Sequence, residues 1–374
     1  MEQRRRRRRR LAIECVHDDV VSRREVLRRC MRVVPARDAG GDDDEDSGHH
    51  PLLQWNHDGS LLFAGRTQTA RATIRIADVA RGTFPAVLSA ELVYPVESVN
   101  WLGNNTVAVG YRYEHRCVLL DVGRGLQPVR SYESERGTEA GCDGVFAVGR
   151  FLTMRPNAVD LCTGSLRGKI RLFDIRQSGT RPRCQMNAPS MTSDDPSIRS
   201  IVGFSSDVLL MGIHRDGTCR LWDHRNTLTP LRTISLPDLL DKYDTKSVNH
   251  LARERLQVDS AVRLDDRRVF IQLNPSRIAR LDVFLKAARF VGPAASSISC
   301  DRLHASLMCR HSLVYPCGNH VLIGDADERS SVWRKASVSG DAVAAVAGNP
   351  EQPIIACSTM GSSSLQMISC FAKR

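Results

Sequence analysis

Short apolar runs alternate with turn residues along most of this 374-residue chain. One recurring run follows a turn, carries large apolar side chains and closes on an aspartate or a substitute for it. Its seven copies are TIRIADV (73–79), CVLLDV (117–122), KIRLFDIR (169–176), CRLWDHR (219–225), IARLDV (278–283), SSVWRK (330–335) and LQMIS (365–369). Short apolar runs between Gly, Asp and Asn residues are typical of β-strands, and few segments show a helical period. The pattern predicts an all-β fold.

A second apolar run, ending in a turn, precedes most copies. These runs are SLLFAGR (60–66), NTVAVGYR (105–112), AVDLCTGS (158–165), DVLLMGI (207–213), RVFIQL (268–273), HVLIGDA (320–326) and PIIACST (353–359). A third run lies further upstream and is clearest in LLQWNHDG (52–59), VESVNWLGNN (96–105), SIRSIVGFSSD (197–207) and SAVRLDDR (260–267). Each unit is therefore predicted to be a small antiparallel sheet. One such sheet cannot bury both faces, so the units should stack around an axis and close a ring without open edges.

Seven such units resemble the WD-repeat β-propeller family, whose repeats have roughly 40–45 residues and a third strand that commonly ends in Trp-Asp. Trp222–Asp223 is the one literal copy, and Phe173 replaces the tryptophan one unit earlier. The resemblance implies a single seven-bladed WD-repeat β-propeller over residues 50–374. It assigns Asp216, Trp222 and Phe173 to the structural motif of a blade, although the strand LLMGIH (209–214) lacks the expected hydroxyl side chain.

Residues 1–49 are predicted to be a charged leader, mostly disordered. Two structures compete for its second half. RCMRVVP (29–35) could supply the fourth strand that the last blade lacks and so close the ring. Alternatively, residues 20–34 form a short amphipathic helix, because their apolar side chains recur at three- and four-residue intervals between basic flanks. The same residues cannot do both.

The formal net charge of +11 is concentrated in that leader. Its basic tract consists of Arg4, Arg5, Arg6, Arg7, Arg8, Arg9 and Arg10. An acidic block, DDDED (42–46), follows, and opposed charge blocks of this kind usually belong to solvated tails. We expect the tract to act as a nuclear import signal or a weak nucleic-acid contact. Sequence-specific binding is not expected, because the tract offers no aromatic side chains for stacking.

Composition excludes several classes of protein. No apolar run approaches the roughly 18 residues of a membrane span, and no apolar stretch follows the basic start as in a secretory signal. The expected location is the nucleus or cytoplasm, where the twelve cysteines would stay reduced.

Chemical motifs are scarce. Cys309, His311, Cys317 and His320 are zinc-ligand types, but their spacing is not that of a zinc finger, and buried structural roles are the preferred interpretation. Phosphate-binding loops, nucleophile elbows and H-E-x-x-H helices are missing from the sequence. The sequence therefore predicts neither an enzyme nor a metal or cofactor site.

Aspartate and arginine recur together at the ends of two successive third strands. The sequences are FDIR (173–176) and WDHR (222–225), 49 residues apart. A single arginine after a strand is ordinarily a solvated surface charge. Its repetition in adjacent blades predicts that Arg176 and Arg225 project from the same face as a two-point anchor. A guanidinium group suits that role because its planar fork makes bidentate contacts.

The doubled box resembles the W-D-x-R box of the WD-repeat substrate receptors of cullin-4 ubiquitin ligases. The resemblance implies that Asp174, Arg176, Asp223 and Arg225 contact the ligase adaptor, a large triple-propeller protein, and that the chain recruits a protein substrate for ubiquitination. Receptors of this kind often insert an N-terminal helix into the adaptor, which is the role a helix over 20–34 would take. The alternative hypothesis is a WD-repeat scaffold subunit of an RNA-processing or chromatin complex, with the arginine tract touching nucleic acid.

Overall fold

A computed structural model of the chain shows seven four-stranded antiparallel sheets. The residues that it describes are 32–35, 52–67, 72–78, 83–92, 94–111, 114, 116–133, 144–152, 159–177, 181–187, 196–204, 209–243, 256–274, 277–291, 305–325, 333–338, 342–359 and 365–369. The first strands of neighbouring sheets contact one another, so these strands surround the centre of a ring. The predicted seven-bladed all-β propeller is confirmed.

Each sheet is one blade, with its strands in chain order from the centre outward. Blade 1 comprises β2 (Leu52–Trp55), β3 (Leu61–Thr67), β4 (Ala72–Asp78) and β5 (Thr83–Leu92). Blade 2 comprises β6 (Val96–Trp101), β7 (Thr106–Tyr111), β8 (Arg116–Asp121) and β9 (Gln127–Glu133). Blade 3 comprises β10 (Val145–Leu152), β11 (Val159–Ser165), β12 (Lys169–Asp174) and β13 (Cys184–Asn187). Blade 4 comprises β14 (Ile198–Gly203), β15 (Leu209–His214), β16 (Thr218–Asp223) and β17 (Arg232–Ser235).

The remaining three blades follow the same order until the last strand. Blade 5 comprises β18 (Gln257–Arg263), β19 (Arg268–Asn274), β20 (Arg277–Asp282) and β21 (Ala287–Val291). Blade 6 comprises β22 (Ser306–Met308), β23 (Ser312–Cys317), β24 (His320–Asp325) and β25 (Arg334–Ser337). Blade 7 comprises β26 (Val343–Gly348), β27 (Ile354–Thr359), β28 (Leu365–Ser369) and, as its fourth strand, β1 (Arg32–Pro35).

The fourth strand of blade 7 comes from the other end of the chain. β1 pairs antiparallel with β28, with Val33 opposite Ile368 and Val34 opposite Met367. The closing strand predicted within residues 29–35 is therefore present at Arg32–Pro35, inside the predicted leader. The alternative prediction was a helix over residues 20–34. Residues 32–34 lie in strand β1 instead, and residues 20–31 lie outside the described residues.

The prediction for blade 6 was displaced by one strand. SSVWRK (330–335) was expected to be the third strand, but β24 (His320–Asp325) is the third and β25 the fourth. The first strand, β22, has only three residues, too few to show an alternation of apolar and polar side chains. It was therefore missed, and the third strand was taken for the second and the fourth for the third. With this correction, the third strand ends in aspartate in blades 1 to 6.

Side chains at the junction of blades 1 and 7 complete the ring. The buried Trp55 donates its indole N–H to the carbonyl of Ala347 at 2.9 Å. Asn349 donates its side-chain amide to the carbonyl of Gly59 at 2.8 Å. Gly59 has φ of +67°, and a Cβ there would collide with the Asn349 side chain, so this turn requires glycine.

Apolar clusters between neighbouring blades form the core. The cluster between blades 4 and 5 includes Leu236 and Leu240, which face inward from α1 (Leu236–Tyr243). Within the described residues, no helix is long and apolar enough to cross a membrane.

Candidate functional site

The two Asp-x-Arg turns, residues 174–176 and 223–225, occupy equivalent positions in blades 3 and 4. Each begins with the last residue of a third strand, β12 or β16. Third strands of adjacent blades run in the same direction, so both turns lie at the same face of the ring. We call the face that carries the third-to-fourth strand connections the turn face.

In each turn the aspartate forms a bidentate ion pair with the arginine two residues later. We call this arginine, held by its aspartate, the arginine fork. Arg176 donates from Nε to Asp174 Oδ1 at 3.0 Å and from Nη2 to Oδ2 at 2.9 Å, while its backbone N–H reaches Oδ1 at 3.0 Å. Arg225 makes the same three contacts with Asp223, at 2.9, 2.6 and 2.9 Å. The two guanidinium groups are thus oriented alike by the aspartate two residues before them.

Both arginines remain accessible despite these ion pairs. Their side chains are 49% and 69% exposed, whereas the partner aspartates are largely buried. Hydrogen bonds from Arg225 hold the pKa of Asp223 below its usual value. The carboxylate therefore stays ionised at neutral pH, and it holds the arginine without enclosing it.

A buried carboxylate, Asp160, lies beside the first turn. It lies opposite Asp174 in the pairing of β11 with β12, and Arg183 Nη1 is 3.3 Å from its Oδ2. Burial raises the pKa of Asp160, against the opposing charges of Arg183, Arg176 and His224. Asp160 therefore lies beside the first turn, paired across the strands with Asp174 and ion-paired with Arg183.

Arginines on two fourth strands donate hydrogen bonds to third-to-fourth strand connections of the turn face. Arg130, on β9 of blade 2, donates through Nη1 to the carbonyl of Ile175 and, at 2.7 Å, to that of Gln177. Arg232, on β17 of blade 4, donates through Nη1 to the carbonyls of Val283 and Phe284, at 3.4 and 3.1 Å. In both cases a blade holds the third-to-fourth strand connection of the next blade.

A buried aromatic residue directly precedes the aspartate of each turn. Phe173 is buried and packs against Tyr132 of blade 2, with ring centroids 5.0 Å apart. Trp222 is buried in the cluster between blades 3 and 4. Asp216 lies at the other end of β16, where its Oδ1 accepts the backbone N–H of Thr218 at 2.8 Å, so it caps its own turn. Phe173 and Trp222 are therefore equivalent in packing, whereas Asp216 serves a separate turn.

The predicted zinc-ligand types do not converge. Cys309 and His311 flank the turn before β23, whereas Cys317 and His320 are paired across the turn after it. A six-residue strand separates the two pairs by roughly 20 Å. Among the residues described, no group of three or more potential ligands could hold a metal. The arginine tract, Arg4–Arg10, lies outside the described residues.

Several residues of the site were not predicted from the sequence. Asp160 lies one strand ahead of the first Asp-x-Arg turn, and its place opposite Asp174 depends on the pairing of β11 with β12. Arg130 and Arg232 look like ordinary arginines of polar outer strands. Their role is visible only in the structure, where each arginine binds carbonyl groups of the third-to-fourth strand connection in the next blade.

Replacement of Asp160 by asparagine should stabilise the protein at neutral pH. A carboxyl group whose pKa is raised on folding binds a proton more readily in the native state, so its charged form lowers the free energy of unfolding at pH 7. As the pH falls through the native pKa, the wild type regains that free energy. Urea denaturation at several pH values should show a more stable Asp160→Asn variant at pH 7 and a shrinking difference toward acid pH. A difference independent of pH would contradict this assignment.

Comparison with known proteins supports the architecture. No family model and no curated protein matches the chain. Many solved structures do match. One is the crystal structure of the Cps50 (Swd1) β-propeller domain of Myceliophteria thermophila, with a TM-score of 0.62 and 14% sequence identity, covering 90% of this chain and 99% of that one. The chain thus has a seven-bladed, WD-repeat-like β-propeller fold. At this identity the likeness concerns the fold alone.

Proposed function

We propose that the protein is an interaction platform that docks through its two Asp-x-Arg turns on the adaptor of a cullin-4 ubiquitin ligase, as a substrate receptor. The observation that carries the proposal is the repetition of one exposed, pre-oriented arginine fork in adjacent blades of the turn face. An anchor of two such forks fixes both the position and the orientation of a partner, which one surface arginine does not.

The geometry gives each arginine a defined contact surface. Asp174 and Asp223 take up Nε and Nη2, so Nη1 of each guanidinium group has no hydrogen-bond partner among the described residues. Carboxylates or backbone carbonyls of the adaptor would bind these donors. The side chains are already held in one orientation, so binding costs little conformational entropy.

The proposed role requires no bond-making chemistry on the propeller. One face would hold the adaptor and another a protein substrate, and the gain would be the high effective concentration of substrate near the ubiquitin-charged enzyme. This role agrees with the scarcity of catalytic motifs in the sequence, and it is argued from the two turns because a fold alone does not determine function.

Replacement of both arginines should abolish most of the adaptor binding. We expect the Arg176→Ala/Arg225→Ala variant to bind the purified adaptor at least tenfold more weakly, because truncated arginine anchors are frequent hot spots. A lysine pair should lose nearly as much, since lysine retains the charge but not the fork. Binding is measured by surface plasmon resonance, and the thermal unfolding of each variant is recorded beside it.

Arg124 and Arg310 provide the matched control. Both are exposed arginines of the turn face, in blades 2 and 6, and each is ion-paired with an acid, Asp121 or Glu351. The Arg124→Ala/Arg310→Ala variant removes the same charge without touching the forks. Equal weakening by both double variants would mean that net charge, and not the anchor, governs binding. Undiminished binding by the Arg176/Arg225 variant would overturn the proposal.

A further inference from the structure

Large apolar side chains are exposed next to the second Asp-x-Arg turn. Leu228 and Leu231 lie in the third-to-fourth strand connection of blade 4, 85% and 53% exposed, and Phe284 and Leu285 lie in that of blade 5, 45% and 65% exposed. Among the described residues, the other exposed large apolar side chains are Val129 and Leu166, at 51% and 40%. We call Leu228, Leu231, Phe284 and Leu285 the apolar strip.

The two halves of the apolar strip are held together. Arg232 directly follows Leu231, and its Nη1 donates to the carbonyl of Phe284 at 3.1 Å. The guanidinium group also lies 5.8 Å from the centroid of the Phe284 ring. The strip therefore continues from blade 4 to blade 5 across a specific contact.

Side-chain oxygens fix the backbone at three of the four residues of the strip. Asn226 Oδ1 accepts the N–H of Leu228 at 3.3 Å, and Asp282 Oδ1 accepts the N–H groups of Phe284 and Leu285, at 3.2 and 2.8 Å. Each connection is thus an ordered turn that presents its apolar residues outward. Contiguous exposed apolar patches on a folded protein commonly mark binding sites.

We propose that the apolar strip is the second half of the adaptor interface and packs against apolar side chains of the adaptor that are bordered by carboxylates. This inference rests on the proposed function. Two observations favour the same partner for both halves. Leu228 follows Arg225 by three residues on the same exposed connection, so both side chains are within reach of one partner. The connections that carry the strip also contain Arg225, Arg232 and Lys286, which outnumber Asp223 and Asp282 and suit carboxylates on the partner.

The two halves of the interface should contribute differently to binding. The arginine forks steer the encounter and fix orientation, so their effect falls with rising salt. The apolar strip excludes water from the centre of the contact, so its removal should raise the dissociation rate at any salt concentration. We expect the Leu228→Ser/Leu285→Ser variant to bind the purified adaptor at least tenfold more weakly at both low and high salt. These two residues are the most exposed of the four, so the fold should not change.

Leu166→Ser serves as the matched control, compared with Leu285→Ser alone. Leu166 is also an exposed leucine in a turn, but it lies on the opposite face of blade 3. We expect Leu285→Ser to weaken adaptor binding and Leu166→Ser to leave it unchanged. Thermal unfolding of all variants is measured to establish that each is folded.

The outcomes separate the two proposals. If the wild type does not bind the adaptor at all, the proposed function fails and the inference fails with it. If the wild type binds and the Leu228→Ser/Leu285→Ser variant binds equally well, the inference is wrong while the proposed function stands. If sedimentation instead shows that the free wild type self-associates, and the variant becomes monomeric without a change in adaptor affinity, the apolar strip binds a second copy of the chain and the inference is again overturned.

Discussion

Trp55→Ala should lower the free energy of unfolding by about 3–5 kcal/mol, as is typical when a buried aromatic side chain is truncated to alanine. Trp55 ends the first strand of blade 1 and is packed in the cluster that joins blade 1 to blade 7. Its indole N–H reaches the carbonyl of Ala347 on β26 at 2.9 Å. The substitution therefore removes packing and a buried hydrogen bond at the one junction where the first and last blades meet. Guanidinium denaturation followed by circular dichroism measures the loss.

Two further substitutions divide this effect into its parts. Trp55→Phe retains most of the packing but removes the indole hydrogen bond to the Ala347 carbonyl, which also faces its ladder partner Ala356, and we expect a loss of about 1 kcal/mol. Trp333→Ala removes a tryptophan that is half-buried before β25 and packs against Tyr315. Its indole makes no hydrogen bond within the described residues, so its loss should be smaller than that of Trp55. If Trp55→Ala proved no more costly than Trp333→Ala, the junction would not be a principal source of stability.

A similar contact joins blade 2 to blade 1. Trp101 ends the first strand of blade 2, and its indole N–H reaches the carbonyl of Gln54 on β2 at 3.1 Å. Both tryptophans stand in the predicted first strands, LLQW and VESVNW. The strands that contain them were predicted from the pattern. Their hydrogen-bond acceptors were not, because each acceptor lies in the neighbouring blade and depends on how the sheets stack.

Sequence periodicity was sufficient where strands were long enough to alternate. The third strands of blades 1 to 5 and of blade 7 lie where the repeated run placed them, from β4 (Ala72–Asp78) to β28 (Leu365–Ser369). Blade 6 failed because β22 has three residues and no readable alternation. The tryptophan of SSVWRK then resembled the end of a third strand, although Trp333 precedes a fourth.

The candidate site was predictable in part for a similar reason. FDIR and WDHR are local sequences, so their positions at equivalent strand ends follow directly from the repeat. The ion pairs within each turn are also local, because each arginine binds the aspartate two residues before it. Asp160, Arg130, Arg232 and the apolar strip depend on contacts between strands or between blades. Nothing in a single sequence specifies those distances.

Loss of β1 should destabilise the propeller by about 2–4 kcal/mol, at about 1 kcal/mol for each backbone hydrogen bond that the four-residue strand makes with β28. Deletion of residues 1–36 would also leave β28 as an open edge, and an unpaired edge is a template for association with other chains. We therefore expect a lower thermal midpoint for the deletion variant and a sedimentation coefficient that rises with protein concentration. An unchanged midpoint would show that β1 does not contribute to stability.

Single proline substitutions in the full chain test the same strand without deleting the leader. In an antiparallel edge strand, alternate residues direct their N–H groups to the neighbour and to solvent. Pro35 has no N–H, so positions 35 and 33 are those expected to face solvent. Val34→Pro should then remove a hydrogen bond to β28 and lower the midpoint, whereas Val33→Pro should be tolerated. Equal effects of the two substitutions would contradict the pairing of β1 with β28, because only that pairing distinguishes the two positions.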